Sequence, residues 1–233
     1  ATKDVTAQVN ALKAKQKADS IDLSLRFNWN SPFFLSPHNA QTLYFAGNRV
    51  MKSTRQGDDL FLISPDLSKK LAAKIDTSVN LTGGITLDAT GAETYGTVVA
   101  LAESYVKPGL LLAGTDDGNV WKSANDGAAW ENLTSRFPGL PTELYVARVE
   151  PSHFDSLTFW VAFDNHRNND FTPYLYVTND GGKSFRSIVN NLPKDMPGDF
   201  LHVVREDPVN ANLLYVGSSV AVYASIDKGA TWT

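Results

Sequence analysis

One eight-residue pattern recurs four times along this chain, and nothing else in the sequence limits the fold as tightly. Ser225, Asp227, Gly229 and Trp232 fill the pattern S-x-D-x-G-x-T-W. Thr178, Asp180, Gly182 and Phe185 fill T-x-D-x-G-x-S-F, and Ser123, Asn125, Gly127 and Trp130 fill S-x-N-x-G-x-x-W. In the first copy only Ser53 and Gly57 remain. We number these segments boxes 1 to 4 in chain order. The pattern has the chemistry of a turn. A short polar side chain at the third position accepts hydrogen bonds from N–H groups of its own loop. The glycine at the fifth takes a positive φ without cost to a Cβ, and the aromatic ring at the eighth buries a large apolar area. Alternating apolar residues flank each box, so each box is expected to be a β-hairpin tip.

A second unit precedes each box. Apolar runs around Phe34, Leu101, Val149 and Val204 are each followed by a polar turn and then a second run, 42–47, 110–114, 157–162 and 212–217. Joined to the box hairpin, each unit holds four strands. Box starts lie 70, 55 and 47 residues apart, and roughly 40–50 residues per four-stranded unit is the period of a propeller blade. The expected fold is therefore all-β, a β-propeller of four-stranded antiparallel blades, with about four blades in this chain. The implied divisions are an N-terminal linker or marginal helix (1–20), a lead-in strand and blade 1 (21–65), an inserted loop (66–94), blade 2 (95–137), blade 3 (138–192, with a polar insertion at 164–173) and blade 4 (193–233). The lead-in strand is read from the period-two alternation over 21–29, and the helix from Val5, Val9 and Leu12. Box 4 reaches Trp232 with no outer strand after it. Blade 4 is thus expected to lack that strand, and the chain to be part of a larger propeller that needs its remainder, or a partner chain, to cover two open blade faces.

Composition removes whole classes of chemistry. The sequence has no cysteine, so disulfides, thiolate metal sites and Cys nucleophiles are excluded. A net charge of −4 argues against a nucleic-acid binder that works through a bulk positive field. No apolar run is long enough for a transmembrane helix. The four histidines show no metal-ligand spacing, and there is no phosphate loop, nucleophile elbow or Ca²⁺ loop. No cofactor and no metal site is expected.

Beyond the boxes, an ordered series of short runs carries a resemblance. The series is Arg26-Phe27-Asn28-Trp29, Ser36-Pro37-His38, Gly47-Asn48-Arg49-Val50, Lys52-Ser53-Thr54 and Ile63-Ser64-Pro65-Asp66-Leu67, continued by Ala113-Gly114-Thr115-Asp116-Asp117-Gly118 and Arg205-Glu206-Asp207-Pro208. With the boxes, it resembles Asp-box (BNR) repeat propellers, and in particular bacterial exported sortilin-like or "BNR-repeat glycosyl hydrolase-like" proteins. The resemblance implies a secreted, periplasmic or cell-surface protein. Its leading function is a non-catalytic scaffold for a protein or peptide ligand. The alternative it implies is an Asp-box glycoside hydrolase similar to xyloglucanases or sialidases, with carbohydrate as ligand. A third, an assembly factor of the photosystem-stability type, shares the repeat. The F/Y-R-I-P run that accompanies sialidases is absent here.

Candidate ligand contacts are Arg26, Arg148 and Arg205 at strand positions near the expected axis, and His166 and Arg167 in the 164–173 insertion. Arg148 and Arg205 each stand just before an acidic residue, Glu150 and Glu206, so internal pairing competes with ligand binding. Asp116 and Asp117 form a carboxylate pair that reads as a turn, and no catalytic residue is assigned. Under the hydrolase alternative, acidic residues such as Asp88 or Glu93 would face each other across a groove. His38 and His153 fall in matching turns, where they are expected to pack.

Overall fold

The computed structural model describes residues 25–80, 94–194 and 196–233. The helix read near the N-terminus, Asp88 and Glu93 lie outside the described residues. Among the described residues, fifteen strands form four antiparallel sheets in chain order. Sheet 1 holds β1 (Phe33–Leu35), β2 (Leu43–Ala46), β3 (Val50–Ser53) and β4 (Phe61–Leu62). Sheet 2 holds β5 (Val98–Glu103), β6 (Leu111–Thr115), β7 (Val120–Ser123) and β8 (Glu131–Asn132). Sheet 3 holds β9 (Tyr145–Pro151), β10 (Phe159–Asn165), β11 (Asp170–Thr178) and β12 (Arg186–Ser187). Sheet 4 has three strands, β13 (Leu201–Glu206), β14 (Leu214–Ser218) and β15 (Val222–Ser225). A reciprocal pair of backbone bonds between Ala224 and Thr233, 2.8 and 2.9 Å, extends the ladder past β15. Each sheet is a simple meander, and successive sheets stack face to face. These are the blades of a β-propeller.

The alternation of side chains along each second strand explains the stacking. Leu111 and Ala113 of β6 pack toward sheet 1 with Tyr44, Ala46 and Val50, whereas Leu112 packs toward sheet 3 with Val149, Phe159 and Val161. On β10, Phe159, Val161 and Phe163 face sheet 2, while Trp160 and Ala162 face sheet 4 with Val204, Leu214, Val216 and Trp232. A strand covered on both faces reads as a continuous apolar run, which is why β6 and β10 are buried throughout.

The segment 25–29, expected as the end of a lead-in strand, carries no strand. It crosses the end of blade 1 instead. Arg26 N–H donates to Asn48 Oδ1 at 2.9 Å, and Asn48 N–H donates to Arg26 O at 2.9 Å. Within 66–94 the chain forms a helix, α1 (Ala72–Asn80). Ala72, Ala73 and Lys74 supply helix propensity there, but the helix is too short to show a periodic apolar stripe in the sequence.

The boxes are hairpin turns, and their geometry separates a constant part from a variable one. In all four, the first-position hydroxyl accepts a hydrogen bond from the glycine N–H four residues on. Ser53 accepts from Gly57 at 2.7 Å, Ser123 from Gly127 at 2.9 Å, Thr178 from Gly182 at 3.0 Å and Ser225 from Gly229 at 2.8 Å. All four hydroxyl residues are buried. The carboxylate is the variable part. Asp180 accepts from the N–H and Oγ of Ser184, and Asp227 from the N–H and Oγ1 of Thr231. In box 1 the carboxylate has crossed to the other leg of the turn. Asp59 accepts from Ser53 Oγ, Thr54 N–H and Arg55 N–H, at 2.5, 2.9 and 3.1 Å.

The box also joins blades. A Cβ on Gly127 (φ +87°) would lie 2.6 Å from Ile63 O, one on Gly229 (φ +86°) 2.7 Å from Ile188 Cδ1, and one on Gly182 (φ +86°) 2.9 Å from Leu133 Cδ1. Ile63, Leu133 and Ile188 each directly follow the outer strand of the preceding blade. Trp130 and Trp232 donate their indole N–H to the same places, Ile63 O and Ile188 O, each at 2.8 Å.

Thr178→Ala strands a buried glycine N–H, so we expect a loss of about 1–3 kcal/mol. For a chain of this length that is a fall of roughly 2–4 °C in melting midpoint per kcal/mol. Thr178→Ser should restore most of it, and Asp180→Ala, at a half-buried position whose donors water can reach, should cost less than Thr178→Ala. Thermal unfolding of the three variants followed by circular dichroism checks the ranking.

Candidate functional site

The propeller has two ends. One carries the boxes and the turns that follow the first strand of each blade. The other carries the hairpins after β2, β6, β10 and β14 and the connections between blades, including the described part of the first long segment, 66–80, and the insertion 164–173. Three groupings of polar side chains stand out, two at this connection end and one on the inner strands.

The first is a ledge running from blade 1 to blade 4. Asn30 donates its side-chain amide to Tyr145 Oη at 3.1 Å, and Arg167 lies over the Tyr145 ring, 5.0 Å from its centroid. Next in the chain, His166 stacks on Phe200 at 4.1 Å between ring centroids, Phe200 meets His202 at 4.6 Å, and His202 Nε2 lies 3.1 Å from Ser219 Oγ. Asp164 orients His166, with Nδ1 2.6 Å from Oδ2 and the backbone N–H donated to Oδ1 at 2.9 Å. The local fold makes this arrangement. A 3-10 turn at His166–Asn168 ends in Asn169 with φ +57°, so β10 reverses into β11 with its imidazole and guanidinium outward. On β13 a register shift between Leu201 and Val203 leaves His202 in a bulge, and a bulge re-aims its side chain. Matching shifts occur at Val99 on β5 and Ala147 on β9.

The second grouping is acidic and closed. Asp116 accepts the N–H groups of Gly96 and Thr97 at 3.1 and 2.8 Å and the Thr97 hydroxyl at 3.2 Å. Burial, with the neighbouring Asp117 charge, pushes its carboxyl up to about 7. Asp117 is fully buried, accepts from Thr115 Oγ1 and Lys69 N–H, and is likewise raised by burial. Arg26 belongs to the same region. It pairs with Asp66 at 2.8 Å and also donates to Ser68 Oγ and Gly96 O.

The third lies on the inner strands. Arg148 and Arg205 converge on one carboxylate, Glu150, at 2.7 and 2.5 Å. The registers explain this, because Glu150 pairs with Trp160 just as Arg205 pairs with Tyr215, at equivalent positions of adjacent blades. Glu150 is buried, and burial pushes its carboxyl up to about 7 against the pull of Arg148. Glu206 is engaged elsewhere, accepting from Ser152 Oγ and His153 N–H. The Arg148 and Arg205 side chains remain 25% and 47% exposed.

The five candidate ligand contacts therefore divide. His166 and Arg167 stand on the ledge, Arg148 and Arg205 share Glu150, and Arg26 holds the crossing segment to the first connection. Phe200, Tyr145 and Asp164 carry no signal of this grouping in the sequence; the bulge at His202 brings that ring to Phe200, and the connections at this end bring in the others. His38 and His153 pack across a seam each. His38 Nε2 lies 2.7 Å from Ser104 O, and His153 stacks on Tyr105 at 3.8 Å. No group of three or more His, Asp or Glu side chains among the described residues could hold a metal ion. None of the described helices is long and apolar enough to cross a membrane.

No family model matches the chain, and no curated protein matches it. Solved structures do. An ancestral GH74 enzyme superposes with a TM-score of 0.63 at 18% identity, over 89% of this chain and 24% of that one. The GH74 xyloglucanase from Xanthomonas campestris gives 0.60 at 14% identity, over 86% and 29%. A nidogen/laminin complex gives 0.50 at 9% identity, over 82% and 59%. At these identities the likeness is one of fold, and the chain spans about a quarter of the length of the GH74 structures it matches.

Asp116 sets a pH test. Its folded-state pKa lies above its unfolded value, so it contributes stability that is complete below pH 4 and is lost as pH rises through about 7. Asp180 and Asp227 act oppositely. Hydrogen bonds, chiefly from the Ser184 and Thr231 side chains, hold them below the usual carboxylate range, so their contribution is lost on acidification. In urea unfolding at pH 5 and pH 8, Asp116→Asn is expected to flatten the decline between the two values.

Proposed function

We propose that this chain is a non-catalytic binding propeller of an exported or cell-surface protein, with the ledge from Asn30 to Ser219 as its ligand surface and a protein or peptide as its ligand. The observation that carries this reading is the continuity of the ledge. Five connections from three blades contribute stacked rings, an imidazole pair, a guanidinium, an amide and a hydroxyl. Such a mixture of flat rings and adaptable polar groups suits a polypeptide. The other charged clusters are engaged internally, Asp116 and Asp117 by backbone and hydroxyl donors and Glu150 by two arginines. Kinship with Asp-box, sortilin-like propellers is supported by the hydroxyl-to-glycine bond kept in all four boxes.

Peptides selected from a random display library on the 233-residue chain should lose binding at least tenfold, on the order of 1.4 kcal/mol, on Phe200→Ala or Arg167→Ala, with the melting midpoint unchanged. Selection of peptides indifferent to both changes would move the ligand surface elsewhere.

A second reading has one observation in its favour. Asp116, with its carboxyl at about 7, has the protonation behaviour a glycosidase acid needs. Turnover of xyloglucan or a sialoside by the purified chain, abolished by Asp116→Asn, would replace the scaffold reading.

The outer faces of the first and last sheets point to further association. Phe33 and Leu35 on β1 are 74% and 52% exposed, and Val222 on β15 is 74% exposed. We propose that further propeller blades, or a partner chain, cover these faces, since exposed apolar strand faces invite association. Size-exclusion chromatography with light scattering should show self-association that Phe33→Ser and Val222→Ser reduce. A monodisperse monomer with a sharp melt would remove the need for a covering partner.

A further inference from the structure

The three seams between blades are built to one register, and this allows side-by-side comparison. The residue after the start of the second strand is Tyr44 in blade 1, Leu112 in blade 2 and Trp160 in blade 3. Their third-strand partners are Lys52, Lys122 and Val177. Across each seam, the fourth position of the next box supplies Asp126, Gly181 and Lys228 respectively.

In the first seam this trio is self-sufficient. Tyr44 Oη donates to Asp126 Oδ1 at 2.9 Å, and Lys52 pairs with Asp126 Oδ2. In the second, Leu112 needs no partner, and Lys122 Nζ donates to Gly181 O at 2.7 Å.

The third seam breaks the pattern. Trp160 is 2% exposed and its Nε1–H has no hydrogen-bond partner among the described residues. The position that supplies the Asp126 carboxylate in the first seam is occupied by Lys228, and the neighbouring Arg186 adds a second cation. Trp160, Val177, Arg186 and Lys228 line a pocket of about 270 Å³ here; the corresponding space beside Tyr44 and Asp126 is about 210 Å³. A buried indole N–H needs an acceptor.

From this we infer that the third-seam pocket is a binding site for a carboxylate, which takes the place that Asp126 fills in the first seam, accepting from Trp160 Nε1 and pairing with Lys228 and Arg186. The carboxylate belongs either to a small organic acid or to an acidic side chain of a polypeptide. Glu206 and Asp155 also line the pocket. Both are committed to protein donors, Glu206 to Ser152 and His153 and Asp155 to Leu157 N–H and Thr158 Oγ1. The first seam shows that the arrangement tolerates a second carboxylate, since Asp126 sits in a pocket also lined by Glu103, the register equivalent of Glu206. The site lies at the box end, opposite the ledge, and does not depend on the function proposed above.

The test follows the Trp160 indole ¹H–¹⁵N resonance of the intact chain, assigned from its disappearance in Trp160→Phe, during titration with acetate, succinate and a glutamate-rich peptide. Saturable movement is expected. Movement with the small acids identifies a metabolite-type ligand, and movement with the peptide alone identifies an acidic segment. Lys228→Ala should weaken binding at least tenfold. Lys228→Asp, which rebuilds the first-seam arrangement at an exposed position, should abolish the titration. A resonance that stays fixed with all three probes, or one that titrates equally in Lys228→Asp, overturns the site. Should Trp160→Phe fail to fold, the Lys228 variants with calorimetric titration of succinate and of the same peptide decide the matter alone.

Discussion

The bond from each box glycine N–H to the hydroxyl that opens the box is the interaction on which the rest of the propeller depends. It closes a tight turn with a glycine at positive φ, and in boxes 2, 3 and 4 it so sets the glycine's Cα, without a side chain, against the residue that directly follows the outer strand of the preceding blade. Any Cβ there meets Ile63, Leu133 or Ile188 at under 3 Å. One local hydrogen bond therefore fixes both the end of a hairpin and the spacing between two sheets. The indole donors of Trp130 and Trp232 add direction to that contact, because each finds its carbonyl only when the seam is fully closed.

The carboxylate has a different standing. It sits at the third position in boxes 3 and 4, gives way to Asn125 in box 2, and reappears at the seventh position in box 1 as Asp59. The N–H groups at the turn are exposed enough for water to serve them, so the acceptor can change chemistry or change legs while the fold is kept. The buried hydroxyl has no such substitute, and it survives in every copy.

This difference also explains what could be read from the sequence. The turn chemistry, the two-sided burial of β6 and β10 and the blade period are local and repeat, so they accumulate into a legible signal. Asp59 leaves no trace in a position-by-position comparison of the boxes, because it accepts the same kinds of donor from the opposite leg of the turn. Helix α1 is a single short element without repetition. The ledge is harder still. Asn30, Tyr145, His166 and Phe200 lie far apart in the chain, and they meet only because successive blades place their connections at one end. Arg148 and Arg205 show the converse. Their acidic neighbours suggest two separate local pairs; Arg148 does pair with its neighbour Glu150, but Arg205 turns to Glu150 as well rather than to Glu206, because the register between inner strands brings it there.

A repeat fold turns its own regularity into a reference state. Where the seams agree, as in the hydroxyl-to-glycine bond, the residues answer to packing and any one copy predicts the others. Where one seam departs, the departure has to be explained by something the other seams lack. Tyr44 with Asp126 and Lys122 with Gly181 O show two ways of giving the polar side chains of the trio a partner. Trp160 with Lys228 follows neither, and a random drift of sequence would more easily have produced the apolar solution of Leu112 than a buried donor beside a cation. The same reasoning applies at the opposite end, where β13 spends its bulge on an exposed imidazole while β5 and β9 spend theirs on Val99 and Ala147. Function in such a chain is therefore to be sought where the blades differ at matched positions, and both the ledge and the third seam are found by that rule.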